Sequence, residues 1–210
     1  MKIFHILIII LILFIPVRLN CISYRYEVSM NKDIIELSRS IMFDQVGVIE
    51  KQKNWGGQVT KYINSVGLNY PIAYCGAGQY YCLKEAADSL GYNPKTEIPF
   101  NARKSASSQY WYTHAKEIGI KTVFSPHIDD LIVWRKRNTG KGHVERIDSV
   151  GLMGWVYTVG FNTSLNSGNT EQERNGDGVA KRRRHLYSPI GLLSIRGLVG
   201  LTPEPEEKPK

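Results

Sequence analysis

The second half of the chain constrains the fold most. Four β-prone runs succeed one another there, Leu131–Trp134, His143–Val150, Gly154–Thr163 and roughly Val179–Tyr187. Turn residues separate them, with Asn138, Gly140 and Gly142 before the second run and Asn175-Gly176-Asp177-Gly178 before the last. Such runs with such connections read as an antiparallel meander. The first half reads as helical. Cys75, Gly78, Gln79, Cys82, Leu83, Ala86, Ala87 and Leu90 follow the 3, 4, 7 spacing of one helix face, and Gly91 stands where that helix would stop. A further helix is expected over Ser107–Ile118. Helices first and a sheet afterwards predict an α+β fold rather than an alternating parallel one.

With 210 residues the chain has room for one core, and 42% hydrophobic with 22% charged residues is a globular composition. No internal repeat and no clear linker divides it. Residues 1–23 stand apart from the fold. Met1-Lys2 gives a positive start, and Ile3–Val17 is almost wholly apolar, with Ile6–Ile15 unbroken before Pro16 and Arg18. A membrane span needs roughly 20 apolar residues, so this shorter stretch reads as a cleavable export signal or an uncleaved N-terminal anchor. Cys21 and Ser23 suit cleavage after Ser23. Cys21 as a lipidated first residue is the third option, approached poorly by Arg18-Leu19-Asn20. The domain proper is then residues 24–200, with 201–210 a disordered tail by its Pro, Glu and Lys content. The expected location is exported: periplasmic, cell-envelope or extracellular.

Lys and Arg number 27 against 19 Asp and Glu, a net charge of +8, which favours an anionic partner. Lys181-Arg182-Arg183-Arg184 suggests nucleic acid, but the run has no interleaved aromatics and export removes such targets. Anionic wall polymer or phospholipid is the expected contact of that strand. No acidic calcium loop or zinc ligand set is visible, so no cofactor is expected.

Of three cysteines, two remain after cleavage, Cys75 and Cys82. They stand seven residues apart on one helix, about 10 Å of rise. A disulfide needs Cα atoms within about 7 Å, so the pair stays open. Cys82 falls inside the apolar stripe as a small core residue. Cys75 begins the helix just after Pro71, where free backbone N–H groups and the positive end of the helix dipole favour a thiolate. A thiolate nucleophile needs a base. His114 lies on a helix, His127 in a loop and His185 at the end of the basic run. His143 opens a strand beside a glycine-rich turn, where a side chain can project at the rim of a sheet.

These residues carry a resemblance. Tyr70-Pro71-Ile72-Ala73-Tyr74-Cys75, preceded by Val46–Glu50 and Asn54-Trp55-Gly56-Gly57, is followed in order by Asp129-Asp130-Leu131-Ile132-Val133-Trp134, Gly142-His143-Val144, Thr158–Thr163 and Gly176-Asp177-Gly178-Val179. From about Ile34 to Tyr187 the sequence resembles the CHAP domains (cysteine, histidine-dependent amidohydrolase/peptidase), papain-like bacterial wall hydrolases related to the NlpC-type peptidases. The resemblance implies a papain-like fold with N-terminal helices and the nucleophile's helix packed on an antiparallel sheet. It implies Cys75 as nucleophile and His143 as general base, with the Cys75 backbone N–H holding part of the oxyanion. It also implies an exported hydrolase that cuts amide bonds of peptidoglycan, as an endopeptidase or an N-acetylmuramoyl-L-alanine amidase.

Two features depart from the family. Gly76 and Gly78 follow the cysteine, and Gly78 should weaken the helix by about 1 kcal/mol relative to alanine. Gly160 stands where the family places the glutamate that orients the histidine. Asn162, two residues on in the same strand, is the expected substitute, giving a Cys75–His143–Asn162 site. Glu50, Asn54 and Tyr74 are candidate substrate-binding residues along the cleft. The competing reading, prompted by Gly160, is a catalytically weakened module that binds wall or an envelope partner.

Overall fold

The computed structural model describes residues 23–164 and 176–205. The apolar N-terminal run, Cys21 and the last five residues lie outside the described residues. Strand β1 (Tyr24–Met30) opens the fold, followed by helices α1 (Lys32–Asp44), α2 (Gln58–Ser65), α3 (Cys75–Ser89) and the short α4 (Pro94–Glu97). A 3-10 turn (Arg103–Ala106) leads into α5 (Ser108–Ile118). Strands β2 (Ile120–Thr122), β3 (Leu131–Arg135), β4 (Gly142–Val150), β5 (Trp155–Thr163), β6 (Gly178–His185) and β7 (Ser194–Pro203) complete it. The protein is α+β, with one seven-stranded sheet in the order β2-β1-β7-β3-β4-β5-β6. Among the described residues no helix is long and apolar enough to cross a membrane.

The sheet is mixed, where an antiparallel one was expected. β3 to β6 form the antiparallel meander, but β1 lies parallel to β7, which is antiparallel to β3. β1 belongs to the half read as helical, although Tyr26, Val28 and Met30 carry the period-two burial of a strand. β7 runs through Pro203, so Leu201, Thr202 and Pro203 are sheet rather than tail.

Both faces of the sheet are covered. Val133, Val144, Val159, Phe161 and Val199 pack with the helices, while Ile132, Trp134, Ile147, Val156 and Leu198 pack with Leu186, Ile190 and Leu193 from the segment between β6 and β7. Double coverage accounts for the unbroken apolar run Leu131–Trp134.

Buried ion pairs fix the helical layer on the sheet. Asp129 takes Arg146 Nε at 3.0 Å and Nη2 at 2.7 Å, and it also pairs with Arg39 of α1. Arg146 reaches across from β4 to Ser38 Oγ at 2.8 Å and the Ile35 carbonyl at 2.9 Å, both on α1. The neighbouring Asp130 accepts from Arg25 of β1 at 2.8 and 2.9 Å. Removing one member of such a pair costs about 3–5 kcal/mol, because the other charge stays buried.

The glycines of α3 are packing requirements. A Cβ on Gly78 would lie 2.2 Å from Phe161 Cγ, and one on Gly76 would lie 2.2 Å from the Ser105 carbonyl oxygen. The helix gives up some intrinsic propensity so that β5 and the 3-10 turn approach its first two turns.

Candidate active site

Cys75 is the first residue of α3, after an N-cap Tyr74 that makes no side-chain capping bond. The Gly78 N–H donates to the Tyr74 carbonyl at 2.8 Å, so the N–H groups of Cys75, Gly76 and Ala77 precede the helix's own ladder. The positive end of the macrodipole therefore faces the sulfur. Cys75 is 4% exposed.

His143 is the second residue of β4 and is buried. Its ring lies beside the Cys75 side chain, whose interaction raises the ring's pKa, and its Nε2 lies 3.1 Å from Glu145 Oε1. Residues two apart on a strand share a face, which brings Glu145 beneath the ring. An ionised carboxylate only accepts, so Nε2–H donates to it and Nδ1 is left for the sulfur. Burial works to lower the His143 pKa, but the bonds and charges of Cys75 and Glu145 outweigh it and raise it to about 9.

Glu145 is itself fully enclosed. Arg184 of β6 holds it with Nε at 2.9 Å from Oε2 and Nη2 at 2.6 Å from Oε1, and Thr158 of β5 donates to Oε2 at 2.7 Å. Burial pushes the carboxyl pKa up; the Arg184 charge and hydrogen bonds, with those of His143, hold it well below the usual carboxylate range. The result is a buried chain of contacts, Cys75 to His143 to Glu145 to Arg184, running from α3 through β4 to β6.

Gly160 completes this arrangement by lacking a side chain. It is the register partner of Glu145, and a Cβ there would stand 2.8 Å from Glu145 Oε1 and 2.9 Å from its Cγ. Asn162 does not take the orienting place expected of it. The ladder between β5 and β6 shifts register between Phe161 and Thr163, and Asn162 has φ 53. The two-residue alternation that would carry 160 and 162 to the same point is thus broken. The Asn162 side chain is buried with its Oδ1 unpartnered, while the ring N–H of His143 goes to Glu145.

The three residues proposed to line the cleft do come together. Glu50 Oε2 accepts the Asn54 backbone N–H at 2.8 Å, and the Glu50 N–H donates to the Asp177 carbonyl at 2.7 Å. The fully buried Tyr74 directs its hydroxyl toward Glu50 without a hydrogen bond of ordinary geometry. Burial raises both the Glu50 and the Tyr74 pKa. Tyr74 immediately precedes Cys75, so the cluster is joined to the start of α3 through its tyrosine. Asn54 enters it through its backbone at φ 57.

The other candidates lie elsewhere. Cys82 is fully buried, its thiol pushed up to about 12 by burial. His114 bonds the Pro99 carbonyl at 2.9 Å and stacks on Tyr110. The His127 backbone N–H donates to Asp130, and His185 Nε2 lies 3.1 Å from the Met153 carbonyl. Among the described residues no group of three or more His, Cys, Asp or Glu could hold a metal ion.

Glu145, Thr158 and Arg184 escaped the sequence reading. The spacing His143-Val144-Glu145 in a strand was available as a signal for the first. Arg184 sits in a basic run read as solvated, yet along β6 the side chains alternate: Lys181 and Arg183 are exposed and Arg184 is buried. No family model matches the chain, and no curated protein or solved structure matches it.

Proposed function

We propose that this chain is an exported cysteine hydrolase with a papain-like CHAP fold, cleaving amide bonds of peptidoglycan as an endopeptidase or N-acetylmuramoyl-L-alanine amidase. The observation that carries the reading is the buried contact of Cys75 with His143, whose far nitrogen is held by Glu145. In the attacking state the sulfur carries the electron pair and the ring carries the proton. Sulfur adds to the carbonyl carbon, and the developing oxyanion meets the free N–H groups at the start of α3. His143 gives its proton to the leaving amine as the C–N bond breaks, leaving a thioester on Cys75. A water then loses a proton to His143 and attacks, releasing the carboxylic acid and the thiol.

The competing reading, a weakened wall-binding module, drew on the missing glutamate at position 160. Glu145 supplies a carboxylate to the same ring nitrogen, which favours the hydrolase. The test is digestion of purified peptidoglycan with identification of the products by mass. New amino termini within the stem peptide, or free stem peptide and glycan, support the proposal and name the bond. Intact peptidoglycan from several sources, retained by the protein without cleavage, supports the binding module instead.

A further inference from the structure

The turn joining β4 to β5 exposes apolar side chains that the fold does not use. Leu152 is 86% and Met153 89% exposed, with Tyr187 at 64% and Val150 and Tyr157 each at 45%. Met153 also has φ 56, a backbone conformation that Gly or Asn adopts more readily. Neither burial nor turn chemistry accounts for methionine there.

The tip is firmly built. The Gly151 N–H donates to the Trp155 carbonyl at 2.8 Å, the Trp155 N–H to Leu152 at 3.1 Å and the Leu186 N–H to Gly154 at 2.9 Å. Behind the two apolar residues stands an aromatic and cationic collar. Trp155 meets His185 edge-on at 4.8 Å, His185 meets Tyr187 at 5.6 Å, and the Arg183 guanidinium lies 3.9 Å over the Trp155 ring. The strand segments that flank the tip carry cations such as Arg183. No acidic residue occurs in 149–164 or 178–203, and the nearby Asp148 lies 3.4 Å from Lys181.

We propose that the β4–β5 tip docks on an anionic phospholipid surface, with Leu152 and Met153 entering its apolar side and Arg183 meeting headgroup phosphates. Apolar side chains backed by Trp and Tyr and by a cation suit the boundary between acyl chains and headgroups. Peptidoglycan offers the charge but no apolar phase for Leu152 and Met153. His143 lies at the other end of β4, roughly 23 Å along the strand, so docking leaves the Cys75 site open. The inference does not depend on the hydrolase reading.

The experiment is segment-resolved hydrogen exchange of the full chain with vesicles of phosphatidylglycerol and phosphatidylethanolamine, and with phosphatidylcholine vesicles for comparison. Reading the tip separately distinguishes its contact from any made by the apolar N-terminus. The expected result is slowed exchange at residues 152–154 on the anionic vesicles only, weakened by salt. Each apolar side chain removed should lower the tip's affinity for the vesicles by about tenfold, so Leu152→Ser/Met153→Ser abolishes the slowing. Arg183→Gln, which leaves the apolar residues in place, should reduce it. Unaltered exchange in β4 and β5 shows that both variants are folded. Equal slowing on phosphatidylcholine, unchanged slowing in both variants, or slowing only with peptidoglycan would overturn the proposal.

Discussion

Glu145 of β4 fills the volume that a side chain on Gly160 of β5 would occupy. The two are register partners, and a Cβ at 160 would lie within 3 Å of the Glu145 carboxyl group. The carboxylate that orients His143 thus comes from the histidine's own strand, and the facing strand accommodates it with a glycine.

A double-mutant cycle follows from this exchange. Glu145→Gly should lower kcat by on the order of a hundredfold or more through misoriented proton transfer. It should also destabilise the fold by about 3–5 kcal/mol because Arg184 loses its buried partner. Gly160→Glu alone should be worse than wild type in urea unfolding, since a second buried carboxylate collides with the first. Glu145→Gly/Gly160→Glu should recover much of both losses, so the coupling energy is large and favourable. Additive losses would show that the two positions do not share one space.

Gly78 gives a prediction opposite in sign to helix propensity. Alanine for glycine inside a helix is ordinarily worth about 1 kcal/mol of stabilisation. Here the new methyl would lie 2.2 Å from the Phe161 ring, which packs against Tyr62 with ring centroids 5.1 Å apart. Overpacking of that kind costs about 1–3 kcal/mol, so Gly78→Ala should lower the urea midpoint. Adding Phe161→Leu should relieve part of the loss. A midpoint raised by Gly78→Ala alone would contradict the close approach of α3 to β5.

The meander and the cysteine helix were legible because each has its own period: β3 to β6 and α3 fall within a residue or two of the patterns read from sequence. β1 was missed because its strand pattern is brief and its pairing partner, β7, lies at the other end of the chain. Within the candidate site, the placement of Cys75 at a helix start and of His143 at a strand start was legible. Asn162 was misplaced because alternation was assumed across a register shift that no short pattern announces. Arg184 was hidden in a run of identical charges, where only the pairing of β6 with β5 shows which arginines turn inward.

The two cysteines should separate cleanly. Cys75→Ala should abolish hydrolysis while leaving the fold, whereas Cys82→Ala should retain activity and lose about 1–2 kcal/mol as a small core truncation. Limited alkylation by iodoacetamide followed by peptide mass analysis should label Cys75 well before Cys82, whose thiol is fully buried and pushed up to about 12. His143→Ala should slow labelling of Cys75 at neutral pH, because the cationic partner is gone. Equal loss of activity in both cysteine variants, with both folded, would remove Cys75 from its role.

His143 should set an alkaline limit on stability. Its pKa is raised to about 9 by Cys75 and Glu145 against the effect of burial, from about 6.5 in an unfolded chain. A raised pKa means that the folded protein holds the proton more tightly than the unfolded one. The stabilisation is therefore complete below about pH 6.5 and is lost as pH rises through about 9. The urea-midpoint difference between wild type and His143→Gln should accordingly be largest in mildly acidic solution and shrink toward pH 9. Hydrolysis should fall over the same alkaline limb, since the leaving amine needs the ring proton. In Cys75→Ala the ring loses one of the two partners that raise its pKa, so its titration, followed by NMR, should move to lower pH. An unchanged titration in that variant would mean that Glu145 alone holds the proton and that the sulfur is not its partner.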